Sequence, residues 1–131
     1  MPSRRINPPK LSLWLLLLLA CFTVPAAAQS IRILVQSSPL AGFQYHTGAA
    51  VWEALKVGDR LILRREPDNP HDANAVRVDW QGQQLGYLPR SENGAVAAEM
   101  DSGGQVEARI GRLRKHRNPW QRVLVEVYVV L

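Results

Sequence analysis

The chain has 131 residues and a formal net charge of +5, with a sequence pI near 10.0. This length allows one domain with one modest core. A single cysteine excludes the disulfide framework that many small exported eukaryotic domains depend on.

The first 28 residues have the pattern of a secretory signal. The stretch opens with three basic residues, Arg4, Arg5 and Lys10. A 14-residue apolar run, Leu11–Val24, follows and ends near the small residues Ala26 and Ala28. This run is shorter than the ~20 residues of a membrane span. We predict cleavage after Ala28 and export to a periplasmic or extracellular space. An uncleaved anchor and lipidation at Cys21 remain open alternatives.

Cleavage would change the charge balance. Three of the 16 basic residues lie in the signal, so residues 29–131 carry 13 basic and 11 acidic residues and a net charge of +2. The remaining chain has no cysteine, and its length predicts a single domain. Basicity alone is therefore no argument for a nucleic-acid ligand.

Residues 29–131 predict a mainly β fold. Period-two alternation of apolar residues predicts six strands, over residues 31–36, 59–66, 74–80, 84–89, 105–115 and 122–131. Helix formers predict a helix from Ala49 to Lys56. A second short helix is expected with Ser91 as its N-cap and Gly103–Gly104 as its stop. Six short strands and one or two short helices indicate a small, bent antiparallel barrel, OB-like or SH3-like.

Three further expectations concern packing. The last strand, Val123–Leu131, is apolar at nearly every position, which predicts burial on both faces or a helix over one face. Tyr87 and Leu88 are expected in the barrel core. Gly86 is expected at a close approach of two backbone segments.

A long polar connection separates the second and third predicted strands. The segment REPDNPHDANAV, Arg65–Val76, holds two prolines and several Asx residues where a hairpin needs only two to five turn residues. Pro67 and Pro70 fix φ and disfavour helix before them. Asn69, Asp72 and Asn74 can bond nearby backbone groups and close local turns. Asp72 is either a turn-forming residue, a ligand-binding acceptor, or both.

These residues also carry a family resemblance. The segment REPDNPHDANAV followed by GYLPR, with LAGFQYHTG and LKVGDRL upstream, resembles the HIRAN domain. The late Pro119-Trp120 before the final strand belongs to the same pattern. This resemblance implies an OB-like barrel that binds single-stranded DNA and recognises its free 3′ end.

The resemblance also implies site residues. Tyr45 and His46 stand where family members stack aromatic side chains on the terminal bases. His71 stands where DNA-binding members have a tyrosine, and Asp72 matches the residue that binds the terminal hydroxyl. Gln44 departs from the family, because a basic residue at that position helps to hold the phosphate.

A basic cluster precedes the last strand. Cations and an aromatic residue lie close together in GRLRKHRNPW, and the candidate binding residues among them are Arg112, Arg114, Lys115, Arg117 and Trp120. Cations beside an aromatic ring suit a single-stranded backbone and a stacked base. The same cations could instead protect a strand edge from pairing, or meet an anionic envelope surface.

Two functions follow from these observations. The first is a nucleic-acid-binding module for single-stranded DNA, and the second is an exported envelope domain that binds a protein, a glycan or an anionic surface. His46, His71 and His116 lack metal-ligand spacing, and no nucleophile motif occurs. We therefore predict no catalysis, no metal and no cofactor, and a monomer.

Overall fold

The computed structural model describes residues 2–5 and 30–131. The predicted signal falls mostly on residues 6–29, outside the described residues, and stays a prediction. Within the described part no helix is long and apolar enough to cross a membrane.

The domain is mainly β, as predicted. Its six strands are β1 (Arg32–Pro39), β2 (Arg60–Glu66), β3 (Ala75–Trp80), β4 (Gln83–Tyr87), β5 (Gln105–Leu113) and β6 (Val123–Val130). Residues 30–131 contain two short α-helices, α1 (Gly48–Val51) and α2 (Gly94–Asp101). Three single-turn 3₁₀ helices cover Phe43–Tyr45, Trp52–Ala54 and Pro119–Gln121.

All strand pairs are antiparallel, in the order β1-β6-β5-β2-β3-β4. The two edges of this sheet meet just after β1. Ala41 donates its N–H to the Tyr87 carbonyl at 2.9 Å, and Tyr87 returns a bond of the same length to Ala41. This pairing closes the bent sheet into a small barrel.

Gly86 allows that closure. A Cβ at this position would collide with the carbonyl oxygen of Ala41, which is backbone and has little freedom to move. The prediction that Gly86 marks a close backbone approach is confirmed. The closure also positions the 3₁₀ helix Phe43–Tyr45, because the chain enters this helix directly after Ala41.

The barrel interior is filled mainly by aliphatic side chains from β2 to β6, and β1 contributes only through Leu40, which directly follows it. The largest fully buried hydrophobic residues are Phe43, Leu40, Leu61, Leu85, Leu88, Ile110, Val76, Val78, Val123, Val125 and Val127. Inward residues alternate along β6, so this strand is buried on one face and half-buried on the other. Burying each such side chain stabilises the fold by ~1.5–3 kcal/mol.

Three local predictions are corrected. The expected helix 49–56 is shorter, because α1 ends at Val51 and a separate 3₁₀ turn follows. Ser91 is not the N-cap of α2, since that helix begins at Gly94, after Asn93. Tyr87 is half-buried rather than in the core, whereas Leu88 is buried as expected.

Candidate nucleic-acid interface

The connection between β2 and β3, residues 67–74, is here called the elbow. Two of its polar side chains accept hydrogen bonds from the backbone of the elbow itself. Asn69 Oδ1 accepts a hydrogen bond from the His71 N–H at 2.9 Å, and Asp72 Oδ1 accepts one from the Asn74 N–H at 2.9 Å. These are the local turns that the sequence predicts, and they hold the elbow in one shape without a helix or a ladder.

Arg65 fastens the elbow to α2. Its guanidinium donates to both carboxylate oxygens of Asp101, at 2.9 and 3.1 Å. It also donates to the carbonyls of Ala73 at 2.9 Å and Ala75 at 3.0 Å. A planar guanidinium can make all four bonds at once, which a lysine cannot. Arg65 therefore links the end of the elbow to the end of α2.

Asn93 makes a second link. Its side-chain amide donates to Asp72 Oδ2 at 2.7 Å, and Asn93 itself is only 1% exposed. The residue before α2 thus orients the carboxylate of Asp72 instead of capping its helix. The bond leaves part of the carboxylate free, since two oxygens offer about four acceptor sites.

Tyr87 supports the elbow from β4. Its hydroxyl donates to Glu66 Oε1 at 2.8 Å, and the side chain of Asn69 donates to the same oxygen at 3.1 Å. Burial raises the pKa of Tyr87, and the hydrogen bond to Glu66 raises it further. The ring therefore stays neutral at ordinary pH.

A cavity of about 430 Å³ lies between the elbow and the barrel closure, and we call it the elbow pocket. Its lining combines small apolar groups with planar and charged side chains: Ala41, His46, Asn69, His71, Asp72, Ala75, Tyr87, Leu88 and Arg90. The rings of His46 and Tyr87 meet edge to face, with centroids 5.8 Å apart. The cavity therefore offers stacking surfaces, one carboxylate and one guanidinium.

Three of the residues singled out in the sequence come together in this cavity: His46, His71 and Asp72. Tyr45 does not line it, and instead projects into solvent with 79% of its surface exposed. Tyr87 and Arg90 do line it, and the sequence did not single them out as binding residues. Their position in the GYLPR motif was a usable signal, because that motif follows the strand that closes the barrel.

The other predicted residues lie at the β5–β6 connection. We call residues 112–117 the basic loop, although its first two residues still belong to β5. The N–H of Arg114 donates to the Arg122 carbonyl at 2.8 Å. No carboxylate of the described residues lies within 4.0 Å of a cation in this loop. Trp120 follows in the third 3₁₀ helix and is 46% exposed. That helix packs against the 3₁₀ helix of Tyr45, so the two exposed aromatic residues lie on neighbouring elements.

Comparison with known proteins gives one family. The HIRAN domain family matches residues 33–131. The mouse helicase-like transcription factor is 37% identical over 70 residues, and the human protein of that name is 34% identical over 64 residues. These matches cover 52% and 48% of this chain, but only 6% of either relative.

Two solved structures share the fold. A crystal structure of a protein from Lactobacillus plantarum has a TM-score of 0.67 and 26% identity, and covers 78% of this chain and 98% of that one. The HIRAN domain of human HLTF has a TM-score of 0.57 and 24% identity, and covers 77% of each chain. The match to the family extends over most of the sequence and includes both the elbow and the basic loop, and this chain belongs to the HIRAN domain family.

Proposed function

We propose that this chain binds single-stranded DNA and holds the free 3′ end in the elbow pocket. HIRAN domains are DNA-binding modules, which fits the lining of this cavity. One observation carries the proposal: His46, His71, Asp72 and Arg90 face a single cavity. They supply planar rings for the terminal base, an acceptor for its hydroxyl and a cation for its phosphate.

Asp72 would bind the terminal hydroxyl. One of its oxygens holds the elbow turn and the other holds Asn93, so the carboxylate is fixed in place before any ligand arrives. A hydroxyl that donates to a charged acceptor makes a bond worth about 1.5–3 kcal/mol. Fixing the acceptor beforehand lowers the entropy cost of binding.

Arg90 would supply the phosphate contact that Gln44 cannot. It lines the elbow pocket, and no carboxylate of the described residues lies within 4.0 Å of it. In this proposal Arg90 takes the role of the basic residue that the family has at the position of Gln44. Phosphate contacts set the register of the strand, while stacking contributes ~1–3 kcal/mol per base.

The bases that follow would reach exposed aromatic residues and cations. Tyr45 and Trp120 are exposed on adjacent 3₁₀ helices, and the basic loop ends just before the second of these helices. An aromatic face accepts any base, so this part of the interface would be tolerant of sequence.

The test compares two oligonucleotides that differ by one oxygen atom. A 5′-fluorescein-labelled oligothymidine ending in a 3′-hydroxyl is titrated against the same strand with a 3′-deoxy end. We expect the wild-type chain to prefer the hydroxyl by about 10-fold or more, the equivalent of one charge-assisted bond. Asp72→Asn should abolish the preference, and Asp68→Asn, an exposed change in the same elbow, should keep it. Equal affinity of the wild-type chain for both strands would contradict end recognition.

A second candidate function follows from the exposed cations of the basic loop. If the chain is exported, this loop would meet an anionic envelope surface. Binding to anionic vesicles would then depend on Arg114 and would not change in Asp72→Asn. Mass spectrometry that finds Gln29 as the N-terminus of the isolated protein would support export, and an N-terminus within residues 1–10 would oppose it.

A further inference from the structure

A second cavity adjoins the 3₁₀ helix Phe43–Tyr45 at Phe43. It has a volume of about 260 Å³, and we call it the aromatic pocket. Its lining is Phe43, Ala49, Trp52, Lys115, His116 and Arg122. We propose that this cavity is a subsite for an internal nucleotide of the same strand whose 3′ end occupies the elbow pocket. The inference rests on the proposed function and extends it.

The floor of the aromatic pocket is rigid and apolar. The rings of Phe43 and Trp52 meet edge to face at 81°, with centroids 5.8 Å apart. Phe43 is 1% exposed and its ring is held by the core, so the half-buried Trp52 supplies the accessible aromatic surface of this floor. Such a floor suits a flat, weakly polar group, which in a nucleotide is the base.

The rim of the same cavity is cationic. The guanidinium of Arg122 lies 6.0 Å from the centroid of the Phe43 ring, and its Nε donates to the His116 carbonyl at 2.9 Å. His116 Nδ1 accepts a bond from the Asn118 N–H at 2.9 Å, so the neutral ring carries its proton on Nε2. Lys115 adds a second cation. An apolar floor with a cationic rim matches a base with its attached phosphate better than it matches a neutral or anionic hydrophobe without a flat ring.

The position of the aromatic pocket makes it part of one strand path. Ala41 and His46 line the elbow pocket, while Phe43 between them lines the aromatic pocket. A single 3₁₀ turn therefore separates the two cavities. Tyr45, 79% exposed, projects from that turn. A strand that leaves the elbow pocket would stack on Tyr45 and descend into the aromatic pocket.

The experiment blocks the aromatic pocket without removing a charge. Ala49 lines this cavity on α1 and is exposed, so Ala49→Phe places a ring in it. Ala50→Phe is the matched control, because Ala50 is an exposed neighbour on the same helix and does not line the cavity. Dissociation constants are measured for 3′-hydroxyl oligothymidines of two to ten nucleotides.

We expect the wild-type chain and Ala50→Phe to gain affinity as the oligonucleotide lengthens. Ala49→Phe should bind the dinucleotide normally and bind the longer strands about 10-fold more weakly, the contribution of one stacked base. Lys115→Gln, which adds no bulk, should weaken only the longer strands, by about 3-fold. Both variants should keep the preference for a 3′-hydroxyl.

The same measurements separate failure of the subsite from failure of the proposed function. If Ala49→Phe and Ala50→Phe have the same length dependence and the 3′-hydroxyl preference is intact, the subsite is wrong and the end-binding function stands. If the wild-type chain has no preference for a 3′-hydroxyl, the proposed function fails and the inference fails with it.

Discussion

Arginines on the two sides of this barrel have different partners. On β2 and β3, Arg64, Arg65 and Arg77 each lie within 3.0 Å of a carboxylate oxygen. In the basic loop, Arg112, Arg114 and Arg117 have no carboxylate of the described residues within 4.0 Å. The first group forms ion pairs within the fold, whereas the second group forms none with the described residues, as the proposed binding of a polyanion requires.

Asp79 shows how the paired arginines of β2 and β3 stabilise a buried charge. This residue is 1% exposed and accepts bonds of 2.8 Å from Arg64 Nε and from both Nε and a terminal nitrogen of Arg77. Burial opposes ionisation of Asp79, but the bonds from Arg77 and Arg64 outweigh it and lower the pKa of its carboxyl. A count of positive charges is therefore a poor guide to binding, because a cation that is paired within the fold is already neutralised.

The largest expected effect on stability comes from substitution of Asp79. Asp79→Asn removes the charge that both arginines share, and we expect the free energy of unfolding to fall by about 2 kcal/mol, measured in urea. Full loss of a buried pair costs ~3–5 kcal/mol, and here the arginines are partly exposed and can be rehydrated. Asp68→Asn, on the exposed elbow, is the control and should change stability by less than about 0.5 kcal/mol. A similar small effect in Asp79→Asn would mean that the pairing is incidental.

The same pair predicts a pH dependence. Because the pKa of Asp79 is lower in the folded chain than its ordinary value of 3.8, its ionised form stabilises the fold above that value. This contribution is lost as the pH falls through 3.8 and then through the folded pKa. The difference in unfolding free energy between wild type and Asp79→Asn should be constant from pH 5 to 7 and should shrink below about pH 4. A difference that grows on acidification would have the wrong sign.

The next effect concerns Arg65. Arg65→Gln removes its bonds to Asp101, Ala73 and Ala75, and we expect a loss of about 1–2 kcal/mol in unfolding free energy. Since these bonds fix the elbow, the preference for a 3′-hydroxyl should also fall several-fold at a temperature where the variant is folded. The slope of log Kd against log salt should not change, because Arg65 is already paired. A changed slope would mean that Arg65 contacts the DNA phosphates.

The smallest expected effect comes from replacing an arginine of the basic loop by glutamine. Arg114→Gln should leave stability within about 0.5 kcal/mol of wild type, since the fold makes no ion pair with this side chain. Binding of a ten-nucleotide strand should weaken about 3-fold at moderate salt, and the salt slope should fall by about 0.7. Arg65→Gln is the matched comparison for this variant. If the two variants had the same unfolding free energy and the same salt slope, paired and unpaired arginines would not differ in their roles.

Much of the fold was predictable from local pattern. Alternation of apolar residues predicted all six strands to within a few residues, because a strand with one buried face must repeat every two residues. The turn roles of Asn69 and Asp72 were predictable as well, since Asx side chains reach only their own neighbourhood.

The candidate site was predictable only in part. Asp72 and His71 were found by motif, but Tyr87 and Arg90 reach the same cavity only because Ala41 pairs with Tyr87 across the barrel. The residue type of Ser91 predicts a helix N-cap. In the fold Asn93 precedes the helix, and its side chain is used to hold Asp72. Residue type alone does not show that the polar residue before the helix binds a distant carboxylate instead of capping the helix.

The strands, the stiff elbow and the family can be read from the amino-acid sequence, since each depends on interactions between residues close along the chain or on an extended motif. The tertiary structure decided which charges are neutralised, which rings line a cavity and which project into solvent. Those properties depend on distances between segments far apart in the chain, and closure of the barrel at Gly86 sets several of them at once.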